Sequence, residues 1–150
     1  MQLDFDPDVI TYEKLLEVFF ASHDASRRSS SRQYMSAIFF HSVEQEHAAQ
    51  AAKAKEELRL GRPVGTQILR AEVFYPAEDY HQKYALQADS ALLAEYRRMY
   101  PDFAGLVDST SATRVNAYLY GCGDAEQLRR ELDSLGLSAE GRKRLVDRVE

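Results

Sequence analysis

The sequence gathers most of its reactive side chains in one short run, Phe74-Tyr75-Pro76-Ala77-Glu78-Asp79-Tyr80-His81-Gln82, and places its single cysteine, Cys122, downstream in Tyr120-Gly121-Cys122-Gly123. Glu78 and Asp79 beside the imidazole of His81 have the residue types for holding or passing a proton, and Tyr75 and Tyr80 pair an apolar ring with a hydroxyl. The same run also suits a plain turn, in which Pro76 bends the chain, Glu78 or Asp79 complements a helix N-terminus, and Asp79 and His81 hold the turn after Phe74 together. Glycines on both sides leave the Cys122 thiol open to exchange, but no basic neighbour in sequence favours its thiolate. An inert surface or half-buried cysteine is therefore preferred over a resolving thiol. One cysteine also makes an internal disulfide impossible, so any disulfide chemistry needs a second thiol from another chain or a small molecule. His23, His41, His47 and His81 fall at no metal-ligand spacing, and neither a metal nor a bound cofactor is expected.

The elements that must position these residues follow from apolar spacing and caps. Leu3-Asp4-Phe5 alternates like the end of a strand and runs into a turn at Asp6-Pro7. Thr11 is a candidate N-cap for a helix whose stripe is Tyr12, Leu15, Leu16, Phe19 and Phe20. Arg27-Arg28-Ser29-Ser30-Ser31-Arg32 lacks apolar periodicity and reads as an exposed loop, where a phosphorylated serine is possible but not required. Tyr34 to Phe40 and Thr66 to Phe74 read as strands, the first a continuous apolar run of the kind buried on both faces. Between them Ser42 and Gln45 make a capping box for an alanine-rich helix closed by Gly61 and Pro63. The spacing then predicts helices from Asp89 to about Tyr100, from Asp108 to Tyr120 and from Asp124 to Gly136, with a short charged one capped by Ser138. Strands alternating with helices, then a helical tail, predict an α+β or α/β sandwich.

At 150 residues, 45% of them hydrophobic, the sequence suits one cooperative domain. A net charge of −5 argues against nucleic acid or an anionic membrane face as a partner. No run approaches the roughly 18 consecutive apolar residues of a membrane span, and Met1-Gln2-Leu3-Asp4 is not the start of a signal peptide, so a cytoplasmic location is expected.

The run Phe74 to Gln82 resembles the one that marks the A-type peptide methionine sulfoxide reductases, and other matches precede it in order. Phe5-Asp6-Pro7-Asp8-Val9-Ile10-Thr11-Tyr12-Glu13-Lys14-Leu15-Leu16-Glu17-Val18-Phe19 is similar to that family's strand-to-helix segment. His23-Asp24 and Gln33-Tyr34-Met35-Ser36-Ala37-Ile38-Phe39 resemble later landmarks, although Met35 stands where the family usually has arginine. Asp108-Ser109-Thr110 with Arg114-Val115-Asn116-Ala117-Tyr118-Leu119 looks like a tail found in some members. The resemblance implies a ferredoxin-like α/β sandwich of the methionine sulfoxide reductase A type, with residues 1–87 forming part of the α/β domain and 88–150 a helical extension packed on it. It also implies reduction of the S-epimer of methionine sulfoxide, free or in proteins, in the repair of oxidative damage. A cysteine thiolate attacks the sulfoxide sulfur, and thioredoxin or another thiol restores the enzyme.

Three departures shape what is expected of this chain. The family's Gly-Cys-Phe-Trp type motif is missing, and the sequence holds no tryptophan. The family's catalytic glutamate lies upstream of the segment that this sequence matches, so no acid here inherits its role. The stretch between His23 and Gln33 is shorter than the family's and lacks its substrate-binding aspartate, which leaves Tyr34 as the one matching pocket residue, a phenol suited to the sulfoxide oxygen or simply to packing. Three expectations compete: a reductase whose nucleophile is encoded upstream of Met1, an inactive relative that keeps a binding or interaction role, and a split enzyme completed by another polypeptide. The first and third predict an unsatisfied sheet edge, and with it self-association or capture of an upstream complementing segment.

Overall fold

The computed structural model describes residues 1–27, 31 and 34–150, so Arg28, Ser29, Ser30 and Arg32 of the expected loop, and Gln33 of the family-like run, lie outside the described residues. Two compact units, Met1–Phe74 and Tyr75–Glu150, divide the chain. The division falls before residue 87, because the short helix that opens the second unit packs with the helices after it.

In the first unit the residues expected to end a strand form none. Asp6 instead closes a turn, its carbonyl accepting from Val9 N and Ile10 N at 3.0 Å each and its carboxylate from Asp8 N at 2.9 Å. Helix α1, Tyr12–Ala21, starts where Thr11 Oγ1 accepts from Lys14 N, and it buries Leu16 and Phe20. Strand β1, Ala37–Phe40, leads into helix α2, Val43–Leu60, whose first turn is capped reciprocally: Ser42 Oγ accepts from Gln45 N, and Gln45 Oε1 accepts from His41 N at 2.8 Å. Gly61 ends α2 at φ 64°, a left-handed conformation natural to glycine. Strand β2, Gln67–Arg70, then lies parallel to β1 with Ala37 opposite Gln67 and Phe40 opposite Arg70, α2 supplying the crossover that a parallel pair requires.

Both strands are shorter than the runs Tyr34 to Phe40 and Thr66 to Phe74, and neither is buried on both faces. Ile38 packs with Leu16, Phe20 and Ala49 and is 8% exposed, while Phe39, which the pleat turns to the opposite face, is 52% exposed. Helices cover one face of the sheet, so apolar content overstated how much of it is enclosed.

The second unit is helical. After a 3₁₀ turn at Asp79–His81 come α3 (Tyr84–Ala88), α4 (Ser90–Met99), α5 (Phe103–Asp108), α6 (Thr110–Leu119), α7 (Ala125–Glu131) and α8 (Ala139–Val149). Side-chain caps at Asp89, Asp102, Ser109, Asp124 and Ser138 begin α4 through α8. The expected helix from Asp108 to Tyr120 forms as α6, capped by Ser109 rather than Asp108, and a further short helix that the spacing did not predict, α5, precedes it. Leu86, Leu92, Tyr96, Leu106, Val115 and Leu145 lie at the centre of one core.

Two polar devices tie that core together. The buried Asp89 carboxylate caps α4 through Leu92 N and takes the Arg144 guanidinium of α8 at 2.8 Å. Burial acts to raise the Asp89 pKa, but the Arg144 hydrogen bond, the Leu92 N–H and the charges of Arg144 and Arg148 outweigh it and hold the carboxyl below its ordinary value. The Tyr96 hydroxyl donates to Leu135 O at 2.8 Å, and burial pushes its pKa up to about 12. Among the described residues no helix is long and apolar enough to cross a membrane.

Candidate functional site

The sequence pointed first to the run after Phe74, and the structure places it in the open. Tyr75, Glu78, Asp79, Tyr80 and His81 are all exposed, and β2 ends at Arg70, so the run does not sit at a strand end. Among the described residues, neither the Glu78 nor the Asp79 carboxylate takes a hydrogen bond or an ion pair, and the His81 side chain makes only a ring contact with Tyr80, centroids 4.2 Å apart. The expectation that Asp79 and His81 hold this turn is thus corrected. Gln82 Nε2 donates to Ala77 O at 3.0 Å, and Gln87 Nε2 donates to Asp79 O at 2.8 Å and to Gln82 O at 2.5 Å. Amide side chains, each with two donor hydrogens, can bridge backbone carbonyls that carboxylates would repel.

Side chains do converge in the first unit, in a place that spacing did not reveal. The parallel register sets Ser36 beside Gln67, whose N–H donates to Ser36 O at 3.0 Å, and so brings Ser36 Oγ within 2.9 Å of the buried Thr66 Oγ1. On its other side Ser36 Oγ lies 3.0 Å from His23 Nε2. His23 Nδ1 lies 2.8 Å from Phe19 O, an atom that can only accept, so Nδ1 carries a proton. In a neutral ring Nε2 then accepts from the Ser36 hydroxyl, and Ser36 Oγ accepts from Thr66. The chain of hydroxyls thus runs from Thr66 through Ser36 to His23 and links the residue before β2, the residue before β1 and the turn that follows α1.

Next to this chain opens a cleft of about 310 Å³ lined by Arg27, Met35, Ser36, Lys53, Thr66 and Gln67 among others. Lys53 Nζ, from the middle of α2, donates to Thr66 O at 2.8 Å. Tyr34 precedes Met35 in sequence but is not part of the lining, and its ring is 75% exposed. Its phenol is therefore exposed rather than packed at the head of a strand, and Tyr34 N donates to Ser31 O at 3.2 Å.

Cys122 lies in the second unit, past the end of α6, and is exposed. Gly121 and Gly123 on either side have φ of 86° and 87°, and a Cβ on Gly123 would come within 2.7 Å of the Tyr118 ring, so this turn requires glycine there. The thiol lines a second cleft of about 310 Å³ together with Arg114, Tyr118, Gln127 and Glu131. Arg114 thus shares a cleft with Cys122, although no cation adjoins the cysteine in sequence. The charge of Arg114 is engaged elsewhere, because it pairs with Glu131 at 2.8 Å, and Glu131 also takes the Tyr118 hydroxyl at 3.1 Å and the Gln127 amide at 3.2 Å. Those hydrogen bonds, the one from Gln127 foremost, hold the Glu131 carboxyl below its usual value.

The peptide methionine sulfoxide reductase family model matches residues 1–103, that is, the whole first unit and the opening of the second. A peptide methionine sulfoxide reductase of Drosophila melanogaster is 38% identical over 152 aligned residues, covering 100% of this chain and 61% of the relative. A peptide methionine sulfoxide reductase of Acidobacterium capsulatum is 43% identical over 91 residues, covering 56% of this chain and 58% of the relative. One from Sulfolobus acidocaldarius is 42% identical over 89 residues, covering 56% and 51%. The chain thus spans between 51% and 61% of the length of these three relatives. The landmarks quoted from α1, β1 and the run after Phe74 all fall within the matched region, and the chain belongs to the peptide methionine sulfoxide reductase family.

Proposed function

We propose that this chain binds the S-epimer of methionine sulfoxide, free or in proteins, and belongs to a reductase that returns it to methionine with electrons from thioredoxin or another thiol. The observation that carries this reading is the match of the family model over residues 1–103 together with an exposed Tyr34 phenol on the family-like run Tyr34-Met35-Ser36. In the reaction a thiolate attacks the sulfoxide sulfur, the oxygen passes to the thiol sulfur as a sulfenic acid, methionine leaves, and a second thiol condenses with the sulfenic acid to give a disulfide and water. The phenol of Tyr34 would donate to the sulfoxide oxygen, which gains negative charge as the sulfur is attacked. The ferredoxin-like α/β sandwich is the arrangement we assign to the reductase as a whole.

Cys122 is the only thiol of the sequence, and Arg114, the cation that lines the same cleft, is committed to Glu131. The attacking thiolate is accordingly assigned to a thiol other than Cys122, and this chain with dithiothreitol or thioredoxin is expected to give no turnover of methyl sulfoxides. Turnover that Cys122→Ser abolishes would overturn that assignment. The binding claim has its own test, in which the two epimers of N-acetyl methionine sulfoxide amide are titrated while backbone amide shifts are followed. Preference for the S-epimer, with affinity about tenfold weaker in Tyr34→Phe, is expected for one lost hydrogen bond to a polar oxygen. Equal responses to both epimers, or none, would remove the reading.

A further inference from the structure

We infer that the cleft beside Ser36 and Thr66 is an oxyanion site, taking a carboxylate or phosphate group between Lys53 and Arg27. The net charge of the chain is −5, yet the described residues lining this cleft include two cations and no acid. The acids near it in sequence have hydrogen-bond or ion-pair partners other than the two cations, although Asp24 also acts through space on Arg27 and Glu57 holds the backbone of the lining residue Val64. Asp24 takes Ser26 Oγ at 2.5 Å and faces Arg62 at 3.6 Å, Glu56 is paired with Arg59 at 2.6 Å, and Glu57 accepts from Val64 N at 3.0 Å. Among the described residues neither Arg27 nor Lys53 has a carboxylate within ion-pair distance.

Lys53 is also aimed. One of its three N–H groups is used by Thr66 O at 2.8 Å, which fixes the ammonium at the cleft wall and leaves two donors free. The Thr66 and Ser36 hydroxyls are committed along the chain to His23, so they stiffen the wall, and the donors left for a ligand are Lys53, the Arg27 fork and the Gln67 amide. Cations with unfilled donors, on a wall braced by hydrogen bonds and with no carboxylate in ion-pair contact with them among the described residues, are what charge-assisted recognition of an oxyanion needs. At about 310 Å³ the cleft has room for the anionic group and an organic remainder, which can rest on Met35 and Val64.

This inference stands apart from the sulfoxide reading, since Tyr34 is not among the lining residues. Its test is a titration of the chain with inorganic phosphate and, separately, with acetate, against sodium chloride at matched ionic strength, following backbone amide shifts. Saturable shifts at Ser36, Gly65 and Gln67 are expected with at least one of the two anions. Arg27→Gln and Lys53→Gln should each weaken that binding by about tenfold or more, whereas Lys55→Gln, which removes the same charge from an exposed position on the same helix, should leave it unchanged. Stronger binding of phosphate identifies a phosphate-type ligand, and stronger binding of acetate a carboxylate. Shifts that do not saturate, or a loss in Lys55→Gln equal to that in Arg27→Gln, would overturn the proposal by showing a response to net charge alone.

Discussion

The two units bury their apolar residues to very different extents. In Tyr75–Glu150 leucines and tyrosines from α3 through α8 form a closed cluster, with Leu86, Leu92, Tyr96, Val115, Leu135 and Leu145 fully buried. In Met1–Phe74 the corresponding cluster is Leu16, Phe20, Ala25, Ile38, Ala49 and Val64, two of them alanines, while Val9, Val18, Phe39, Val73 and Phe74 are exposed. The unit that lies wholly within the family match is thus the one with the thinner core and with the polar convergence at Ser36, whereas the more completely packed unit extends past that match. Packing density and family landmarks are separate properties here, and each must be read from its own residues.

The sharpest way to break this contrast is to truncate a buried apolar side chain in the second unit and an exposed one in the first. Leu145→Ala should cost the second unit about 3 kcal/mol, because a fully buried leucine loses its transfer energy and leaves a cavity. Phe39→Ala should change stability by less than about 0.5 kcal/mol, as is usual for an exposed position. Denaturant unfolding of both variants measures the difference, and equal losses would show that the first unit's open face is in fact covered.

Next in size is Asp89→Asn, expected to cost about 2 kcal/mol, the scale of a hydrogen bond between charged groups, reduced here because Arg144 is half exposed. The sign with pH follows from a folded pKa held below the ordinary value. The Asp89 contribution is present above the unfolded carboxyl pKa of about 4 and is lost as pH falls through the lower folded value. The variant should therefore lose the acid limb of stability near and below pH about 4 that the parent shows, and parallel acid profiles would rule the ion pair out as its source.

Tyr96→Phe should cost about 1 kcal/mol by leaving Leu135 O without its donor. With the Tyr96 pKa raised to about 12 in the fold, its contribution is complete below the unfolded value of about 10 and is lost as pH rises toward 12, so the parent should weaken over that window and the variant less. Thermal melts from neutral to strongly alkaline pH would check this.

The smallest effect is expected at the run after Phe74. Asp79→Ala should leave the melting midpoint nearly unchanged, since the carboxylate has no partner there, while Gln87→Ala should lower it by removing two hydrogen bonds to carbonyls. The reverse order would restore Asp79 as the residue that holds the turn.

Local chemistry was enough to place most of the elements. Thr11, Ser42, Asp89, Asp124 and Ser138 cap helices where their side chains and the following apolar spacing said they would, because a cap is decided within three or four residues. The family was legible for a similar reason, since its landmarks are contiguous runs. What sequence could not carry was anything that depends on which faces are covered. Apolar content at Tyr34 to Phe40 fits a strand buried on both sides, yet the helices cover one side only, and Leu3-Asp4-Phe5 alternates without any strand forming there. The polar site shows the same limit. His23, Ser36, Lys53 and Thr66 share no motif and stand up to 43 positions apart, and only the parallel register of β1 on β2 with α2 across them brings a hydroxyl chain and an unpaired ammonium to one cleft. Residue identity fixed the donors and acceptors, while tertiary structure decided which of them were spent on one another and which were left for a ligand.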